Sequence, residues 1–248
     1  MLRNWMYDRK IFRSTNFGLP LICVGNLAVG GTGKSPMVEF LVAHLHGRYR
    51  VATLSRGYKR KTRGYILAGP GTTANEIGDE PMQFYRKFPD VPVAVGEERL
   101  VAIPQLLHDR PDTQAIILDD AFQHRAIRAG LNILLTDYSN LFTRDFFLPT
   151  GDLRDARSSY RRADFVIVTK CPAALTEQER QSLVQEIKPL PHQKMYFTTI
   201  LYGTPYHLTR KEFYFMDEQT EVLLVTGIAN PRPLKNYLED RIGTYYMM

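Results

Sequence analysis

Cysteine is scarce in this chain, which has 248 residues and only two cysteines, Cys23 and Cys171. The two lie far apart in the sequence and form no cluster with the spacing of metal ligands. The sequence therefore argues against a disulfide scaffold and against a cysteine-based zinc site, and it is typical of a reducing compartment.

Long apolar runs are also missing. No stretch is apolar enough, over enough residues, to span a bilayer, and no signal peptide is apparent at the start. We therefore expect a soluble or peripheral protein on the cytoplasmic side. The length fits one large α/β domain, or one domain with a small second lobe.

Acidic residues are outnumbered by basic ones, 26 to 32, which gives a formal net charge of +6. This balance favours anionic partners: nucleotide phosphates, phospholipid headgroups or nucleic acid. Residues 1–13 mix aromatic and basic side chains, which suits a headgroup interface or, alternatively, a surface helix packed on the domain. A second basic run is either a solvated loop or a headgroup contact, and it consists of Lys59, Arg60, Lys61 and Arg63.

Short apolar runs alternate with helical patterns over most of the chain. The helix after the first run carries Val38, Leu41, Val42 and Leu45 at the spacing of one helix face. Such alternation predicts an α/β fold, in which a parallel sheet is covered by helices on both faces. The predicted strands are 19–24, 50–54, 91–95, 115–118, 132–136 and 165–169.

The last quarter of the chain has a different texture. Residues 194–216 are rich in aromatic residues and threonine, and they predict a β-hairpin or linker strands. A further buried strand is predicted at 222–228, and Pro231 and Pro233 begin a last helix. We expect a core domain over 1–192, linker strands over 193–220 and an incomplete, smaller lobe over 221–248.

A glycine-rich loop lies between the first predicted strand and helix, in the context that a P-loop requires. In such a loop, backbone N–H groups bind phosphate oxygens and the helix N-terminus adds a favourable dipole. Lys34 would reach the β- and γ-phosphates, and the Ser35 hydroxyl would bind Mg²⁺. Ala28 replaces the first glycine of the generic pattern, and a glycine-rich turn with a chance Lys-Ser pair is the alternative. The loop consists of Gly30, Gly31, Thr32, Gly33, Lys34 and Ser35.

Two acids follow the predicted strand 115–118. The carboxyl end of a parallel strand lies beside the phosphate loop, so Asp119 and Asp120 can hold Mg²⁺ and its waters there. The alternative is an ordinary strand that ends in aspartate at a turn.

The sequence favours ATP as the nucleotide. Val168, Thr169 and Lys170 resemble the beginning of the guanine-reading loop of GTPases. That loop needs an aspartate two residues after the lysine, and Pro172 stands there instead.

Six ordered segments carry a family resemblance. They are Val24-Gly25-Asn26-Leu27, Leu54-Ser55-Arg56-Gly57-Tyr58, Gly78-Asp79-Glu80-Pro81, Asp119-Asp120-Ala121-Phe122-Gln123-His124, Leu148-Pro149 with Gly151 and Leu153-Arg154, and Thr226-Gly227-Ile228-Ala229-Asn230-Pro231. In this order they closely resemble the tetraacyldisaccharide 4′-kinase family, the lipid A 4′-kinases of Gram-negative bacteria.

The resemblance implies a reaction and a place. The γ-phosphate of ATP would move to the 4′-hydroxyl of an acylated glucosamine disaccharide 1-phosphate, with Mg²⁺, at the cytoplasmic face of the bacterial inner membrane. It also implies a P-loop NTPase-like fold of two lobes joined by linker strands.

Roles of single residues follow from the same resemblance. Asp79 matches the acid that is the expected base for the sugar hydroxyl, although an aspartate before Glu80-Pro81 is also a good helix N-cap. Lys34 and Asp120 complete the expected catalytic group, and Asp119 and Asp120 match the acids for Mg²⁺.

The resemblance also implies contacts to substrate and phosphate. Arginine suits phosphate because its guanidinium pairs with two oxygens. Arg99 could instead lie on a solvated helix face, and Gln123 and His124 could make only surface-loop hydrogen bonds. The implied contacts are Ser55, Arg56, Tyr58, Arg99, Gln123, His124 and Arg154.

The sequence departs from the family at both ends. Members usually begin with a longer segment and continue into a histidine-containing segment that supports the catalytic acid, whereas no histidine follows Ile228 here. This departure predicts a nucleotide-binding chain that transfers phosphate slowly or not at all.

Two other classes remain open. A P-loop switch or assembly ATPase acting on a protein partner would explain the loop and the acids. A nucleic-acid-binding ATPase is suggested by charge alone and lacks an interleaved aromatic and basic platform, so we expect no nucleic-acid partner.

Overall fold

The structure is a computed structural model that describes residues 2–207, 209–210, 212–228 and 231–247. The chain divides into two compact units, Met1–Thr198 and Thr199–Met248. The larger unit contains one mixed sheet with helices, and the smaller one contains a strand pair with a helix.

The first unit holds eight strands in one sheet, in the order β3-β4-β2-β5-β1-β6-β7-β8. The strands are β1 (Leu21–Asn26), β2 (Val51–Ser55), β3 (Ile66–Leu67), β4 (Val93–Val95), β5 (Ala115–Asp119), β6 (Leu131–Asp137), β7 (Phe165–Thr169) and β8 (Lys194–Phe197). The helices are α1 (Leu2–Asp8), α2 (Lys34–Leu45), α3 (Ala74–Ile77), α4 (Asp79–Lys87), α5 (Arg99–Asp109) and α6 (Glu177–Ile187), with a 3-10 helix at Arg157–Arg162.

All pairings in this sheet are parallel except the one between β3 and β4. Parallel neighbours need crossover connections, and helices supply most of them here. The predicted α/β, P-loop NTPase-like fold is thereby confirmed, and each of the six strands predicted in this unit is present. The edge strand β3 was not predicted, because two half-buried residues leave no apolar run.

The apolar runs are continuous because both faces of the sheet are buried. In β5, Ile117 belongs to the cluster on one face and Leu118 to the cluster on the other. Val38 and Val42 of α2 cover the first face, as their spacing predicts, and Leu106 of α5 covers the second. Burial of each such side chain contributes about 1.5–3 kcal/mol, which fixes the strand ends that carry the site.

The first residues of the expected linker, 193–220, belong instead to the main sheet. Lys194–Phe197 is the last strand of the main sheet, paired in parallel with Phe165–Thr169. Its residues alternate between exposed and half-buried, as on an edge strand with one covered face. This short alternation resembles the aromatic stretch that follows it, which is why the sequence did not separate the two.

The second unit contains a parallel pair, β9 (Glu221–Leu224) and β10 (Thr244–Met247), with α7 (Arg232–Glu239) between them in sequence. The last helix begins between the two prolines, as predicted. The predicted strand 222–228 is shorter in the structure, and residues 229–230 of the family segment lie outside the described residues. In the described part of the chain, no helix has the length and apolarity needed to cross a membrane.

Candidate active site

The phosphate loop connects β1 to α2, as the sequence predicts. Gly30 and Gly33 have positive φ angles of 101° and 84°. Glycine reaches this region without the steric cost that a Cβ atom brings. Gly33 is the N-cap of the helix, and Lys34 is its first residue. The loop therefore ends at a helix N-terminus, where the dipole favours an anion.

Lys34 lies beside a buried asparagine and an acid. Its Nζ donates a hydrogen bond to Asn26 Oδ1 at 3.3 Å and lies 3.8 Å from Asp120 Oδ1. Burial lowers the pKa of Lys34 from its usual 10.5, and the charge of Asp120 opposes that shift. An anion bound in the loop would gain a nearby ammonium group whose charge is incompletely neutralised.

Asp119 is a buried carboxylate with spare hydrogen-bonding capacity. The Ser55 hydroxyl donates to Asp119 Oδ2 at 3.2 Å. Among the described residues, Asp119 Oδ1 is buried and has no hydrogen-bond partner. Burial, reinforced by the neighbouring Asp120, raises the pKa of Asp119 to about 6. A buried acceptor without a donor fits a site that a cation completes.

Asp120 is tied to Arg154. Arg154 donates to both carboxylate oxygens, with Nη1 at 3.0 Å from Oδ2, and its Nη2 also donates to Asn26 Oδ1 at 2.7 Å. Burial alone would raise the pKa of Asp120, but the hydrogen bonds from Arg154 and the charge of Lys34 lower it. Asp120 therefore stays ionised at neutral pH and orients Arg154 beside the phosphate loop.

The segment around Arg154 runs alongside the beginning of the phosphate loop. The Arg154 N–H donates to the Leu27 carbonyl at 2.8 Å, and the Val29 N–H donates to the Asp152 carbonyl at 2.7 Å. These bonds explain how residues about 125 positions apart hold one guanidinium at the loop.

Arg99 lies behind the acid pair. Its residue surface is 1% exposed, and its guanidinium donates to the Gly96 carbonyl and, at 3.3 Å, to the Asp119 carbonyl. Burial lowers the pKa of Arg99 to about 10. The solvated-helix alternative was therefore wrong, because the guanidinium is buried against backbone carbonyls, and the contact of Arg99 with phosphate stays a prediction.

Gln123 and His124 approach the end of β1. Gln123 Nε2 donates to the Asn26 carbonyl at 2.6 Å, so Gln123 does more than satisfy a surface loop. Burial, together with the charges of Arg99 and Arg56, lowers the pKa of His124 to about 4. The imidazole is therefore neutral near pH 7, with one ring nitrogen able to accept a hydrogen bond.

A separate small cleft of about 230 Å³ contains Asp79. Its lining consists of Tyr58, Lys59, Ala74, Asn75, Gly78 and Asp79. Two family segments meet here: a Cβ atom on Gly78 would lie 3.1 Å from the Tyr58 carbonyl oxygen. Glycine at this point lets the two backbones touch and places Asp79 across from Tyr58.

Asp79 is exposed and is the first residue of α4, whose N-cap is Gly78. The N-cap alternative was therefore wrong. Burial dominates both shifts, lowering the pKa of Lys34 and raising that of Asp119, and the negative charge of Glu80, the neighbour of Asp79, adds a smaller upward effect on each pKa. The start of α4 is thus electrostatically close to the phosphate loop.

Among the remaining predicted contacts, Arg56 and Tyr58 are exposed. The neighbouring basic run is not uniformly solvated, because the Arg60 side chain is buried and donates to Glu97 Oε1 at 2.6 Å. Sequence reasoning missed Asn26 as a site residue. It is fully buried and contacts Lys34, Arg154 and Gln123, and its polarity at the end of an apolar strand was the available signal.

Fold and site together define a P-loop nucleotide-binding protein: a parallel sheet, a glycine-rich loop before a helix, its lysine, and acids at the end of a neighbouring strand. The sequence matches the tetraacyldisaccharide-1-P 4′-kinase family over residues 1–245. The chain belongs to this family, and the resemblance carried by the six segments is confirmed.

Relatives agree with this assignment. A tetraacyldisaccharide 4′-kinase of Flavobacterium johnsoniae is 47% identical over 247 residues, which cover 96% of this chain and 71% of the relative. One of Porphyromonas gingivalis is 46% identical, covering 93% of this chain and 65% of the relative. The chain thus spans about two thirds of the length of these relatives.

A solved structure is also similar. The crystal structure of LpxK from Aquifex aeolicus in complex with ATP has a TM-score of 0.75 and 28% sequence identity to this chain. The match covers 100% of this chain and 76% of that one.

Proposed function

We propose that this chain transfers the γ-phosphate of ATP to the 4′-hydroxyl of a tetraacyldisaccharide 1-phosphate, a step of lipid A biosynthesis. One observation carries the proposal: in a chain of the 4′-kinase family, the phosphate-loop Lys34 lies 3.8 Å from Asp120, and the neighbouring Asp119 keeps a buried carboxylate oxygen without a donor among the described residues. The cleft that contains Asp79 lies at the start of α4 and offers an exposed carboxylate to an acceptor alcohol.

ATP is the proposed donor. The similar LpxK structure is a complex with ATP, and the position after Lys170-Cys171 holds Pro172, not the aspartate that reads guanine. The phosphate loop would bind the β- and γ-phosphates through its N–H groups, with Lys34 beside them.

Asp119, Asp120 and Ser35 are the residues that would hold Mg²⁺. Asp119 Oδ1 is buried without a donor, which fits a hard cation that prefers carboxylate oxygens. The described residues contain no group of three His, Cys, Asp or Glu side chains arranged for a metal, so water and nucleotide oxygens would complete the shell. When bound, Mg²⁺ neutralises charge on the phosphates of ATP.

Asp79 is the proposed base. The 4′-oxygen forms a bond to the γ-phosphorus, the bond from that phosphorus to the bridging oxygen of ADP breaks, and the hydroxyl proton moves to the Asp79 carboxylate. A carboxylate that takes this proton makes the alcohol a competent nucleophile. Because Asp79 is exposed in the cleft, a bound sugar can reach it.

The other proposed site residues divide into two groups. Ser55 and Arg99 act as positioning residues, because both contact Asp119 from buried positions. Arg154 faces the phosphates while Asp120 orients it. Arg56, Tyr58, Gln123 and His124 are proposed to contact the substrate, whose 1-phosphate and lipid surroundings suit a chain of net charge +6 at an anionic, cytoplasmic membrane face.

The test is transfer of label from γ-labelled ATP to a tetraacyldisaccharide 1-phosphate in detergent with Mg²⁺. Asp79→Asn should lower kcat by at least about 100-fold, the typical scale of general base catalysis. Glu177→Gln is the matched control, since Glu177 is also an exposed acid at the first position of a helix, α6.

Equal activity of the Asp79→Asn variant and the parent would remove Asp79 from the mechanism. Mg²⁺-dependent ATP binding without transfer to lipid by the parent chain would instead favour an impaired kinase or a nucleotide switch acting on a protein.

A further inference from the structure

The loop that follows β7 contacts the phosphate loop. Lys170 Nζ donates to the Gly31 carbonyl, and the Thr169 hydroxyl lies 2.9 Å from the Thr32 carbonyl oxygen, nearer than the 3.2 Å to its other acceptor, the Thr136 carbonyl oxygen. The two partners of each contact are 139 and 137 positions apart in the sequence. Two successive carbonyls of the phosphate loop are therefore held by two successive residues at the end of another strand.

Lys170 is itself fixed at both ends. Its backbone has φ of 57°, in the left-handed region that few residues other than glycine occupy. Its ammonium lies 2.7 Å from Asp137 Oδ2, at the end of β6. Only about a quarter of the Lys170 side chain is exposed, at 25%. An unfavourable backbone conformation combined with a largely buried ion pair indicates a side chain held in one direction.

The geometry of the peptide bond gives these contacts a consequence. In a planar trans peptide, the C=O and the following N–H point in opposite directions. The Thr32 carbonyl turns toward Thr169, so the Gly33 N–H points to the other side of the loop. The Thr32 N–H closes a turn on the Gly30 carbonyl at 3.1 Å, which fixes the preceding peptide as well.

We propose that Thr169 and Lys170 are positioning residues for nucleotide binding: they hold the Thr32 and Gly31 carbonyls away from the phosphate site, so that these oxygens do not repel the terminal phosphates of the nucleotide and the Gly33 N–H is directed toward them. Asp137 supports the arrangement by holding the Lys170 ammonium. A segment that resembles a guanine-reading loop without its aspartate thus acts here on the phosphate loop. This inference rests on the proposed binding of ATP.

Carbonyl oxygens that turn toward phosphate would repel it. Without the donors on Thr169 and Lys170, part of the population of the loop has its carbonyls turned toward the phosphate. The apparent affinity falls in proportion to the fraction of loops that are no longer competent to bind. The effect acts on phosphates that the loop surrounds and leaves contacts to adenosine unchanged. Comparison of the affinities for ATP and AMP therefore distinguishes a role at the phosphate loop from a role in binding the adenine base.

The experiment measures Kd for ATP and for AMP by calorimetry in Mg²⁺, for the parent, Lys170→Met, Lys170→Arg and Thr169→Val. The expected result for Lys170→Met is a Kd for ATP raised about tenfold with the Kd for AMP changed less than about twofold. Lys170→Arg keeps the positive charge and the donors, so it should restore most of the affinity. Thr169→Val keeps the side-chain shape and should weaken ATP binding in the same selective way.

Lys188→Met is the matched control, because Lys188 is an exposed lysine that also has a positive φ, 54°, at the end of α6. It should leave both affinities unchanged. A Lys170→Met variant that binds ATP as tightly as the parent would overturn the inference, and so would an equal loss of ATP and AMP affinity. Because no acceptor is present, a failure of phosphate transfer would not alter this readout.

Discussion

Replacement of Asp119 by asparagine should stabilise the fold while it abolishes the function. The Asp119 carboxylate is buried, one of its oxygens has no donor among the described residues, and its pKa is raised from 3.8 to about 6. A carboxyl group with a raised pKa in the folded chain costs stability once it is ionised. Asparagine keeps the shape and can still accept the Ser55 hydrogen bond, but it carries no charge.

The sign and size follow from linkage. Between pH 3.8 and about pH 6, the folded chain retains a proton on Asp119 that the unfolded chain has lost. The free energy of unfolding therefore falls as the pH rises through this window. The raised pKa corresponds to a loss of about 3 kcal/mol in the free energy of unfolding, and this loss is complete above about pH 6. The Asp119→Asn variant lacks this loss.

Urea unfolding of the parent and the variant at a series of pH values tests the reasoning. The two should be nearly equal in stability near pH 4, and the variant should be more stable by up to about 3 kcal/mol near pH 7.5. Asp90→Asn, at an exposed carboxylate, is the control and should show no such trend. A variant that is less stable than the parent at neutral pH, with no dependence on pH, would refute the account of Asp119.

Two further predictions concern the phosphate loop and the Asp79 cleft. Lys34→Met should lower kcat/KM by at least about 100-fold in the transfer assay, because it removes the cation beside the phosphates, and an activity near that of the parent would contradict that role. Gly78→Ala should cost about 1–3 kcal/mol of stability, because φ of 94° with ψ of 164° is a conformation that is essentially restricted to glycine. The variant should also raise KM for the lipid acceptor, because the added Cβ atom would lie 3.1 Å from the Tyr58 carbonyl oxygen of the facing segment. Gly71→Ala, with φ of 86° and open space around the added atom, is the control, and it should lose stability without any change in KM.

The sheet was predictable because its signals are local. Runs such as 165–169 are apolar on both faces, since helices cover both. A glycine-rich loop that ends in Lys34-Ser35, between a strand and a helix, is typical of phosphate binding. The acids Asp119 and Asp120 were predictable as well, because the carboxyl ends of parallel strands share one edge of the sheet.

Long-range contacts between polar residues were not predictable. Arg99 stands at the start of an amphipathic helix and has the pattern of a solvated residue, yet its partners are carbonyls at Gly96 and Asp119. Lys170 meets Gly31 across 139 positions, and nothing near either residue signals the other. Pairings of this kind depend on which strands become neighbours, which a single sequence leaves undetermined.

The most direct test of the central claim is the position of the new phosphate in the product. The parent chain should be incubated with ATP, Mg²⁺ and a tetraacyldisaccharide 1-phosphate, and the lipid analysed by phosphorus–proton correlation NMR. The account predicts a second phosphate monoester, coupled to the proton on the 4′-carbon, that does not form with Asp79→Asn. Release of inorganic phosphate with an unchanged lipid, or a phosphate at another hydroxyl, would contradict it.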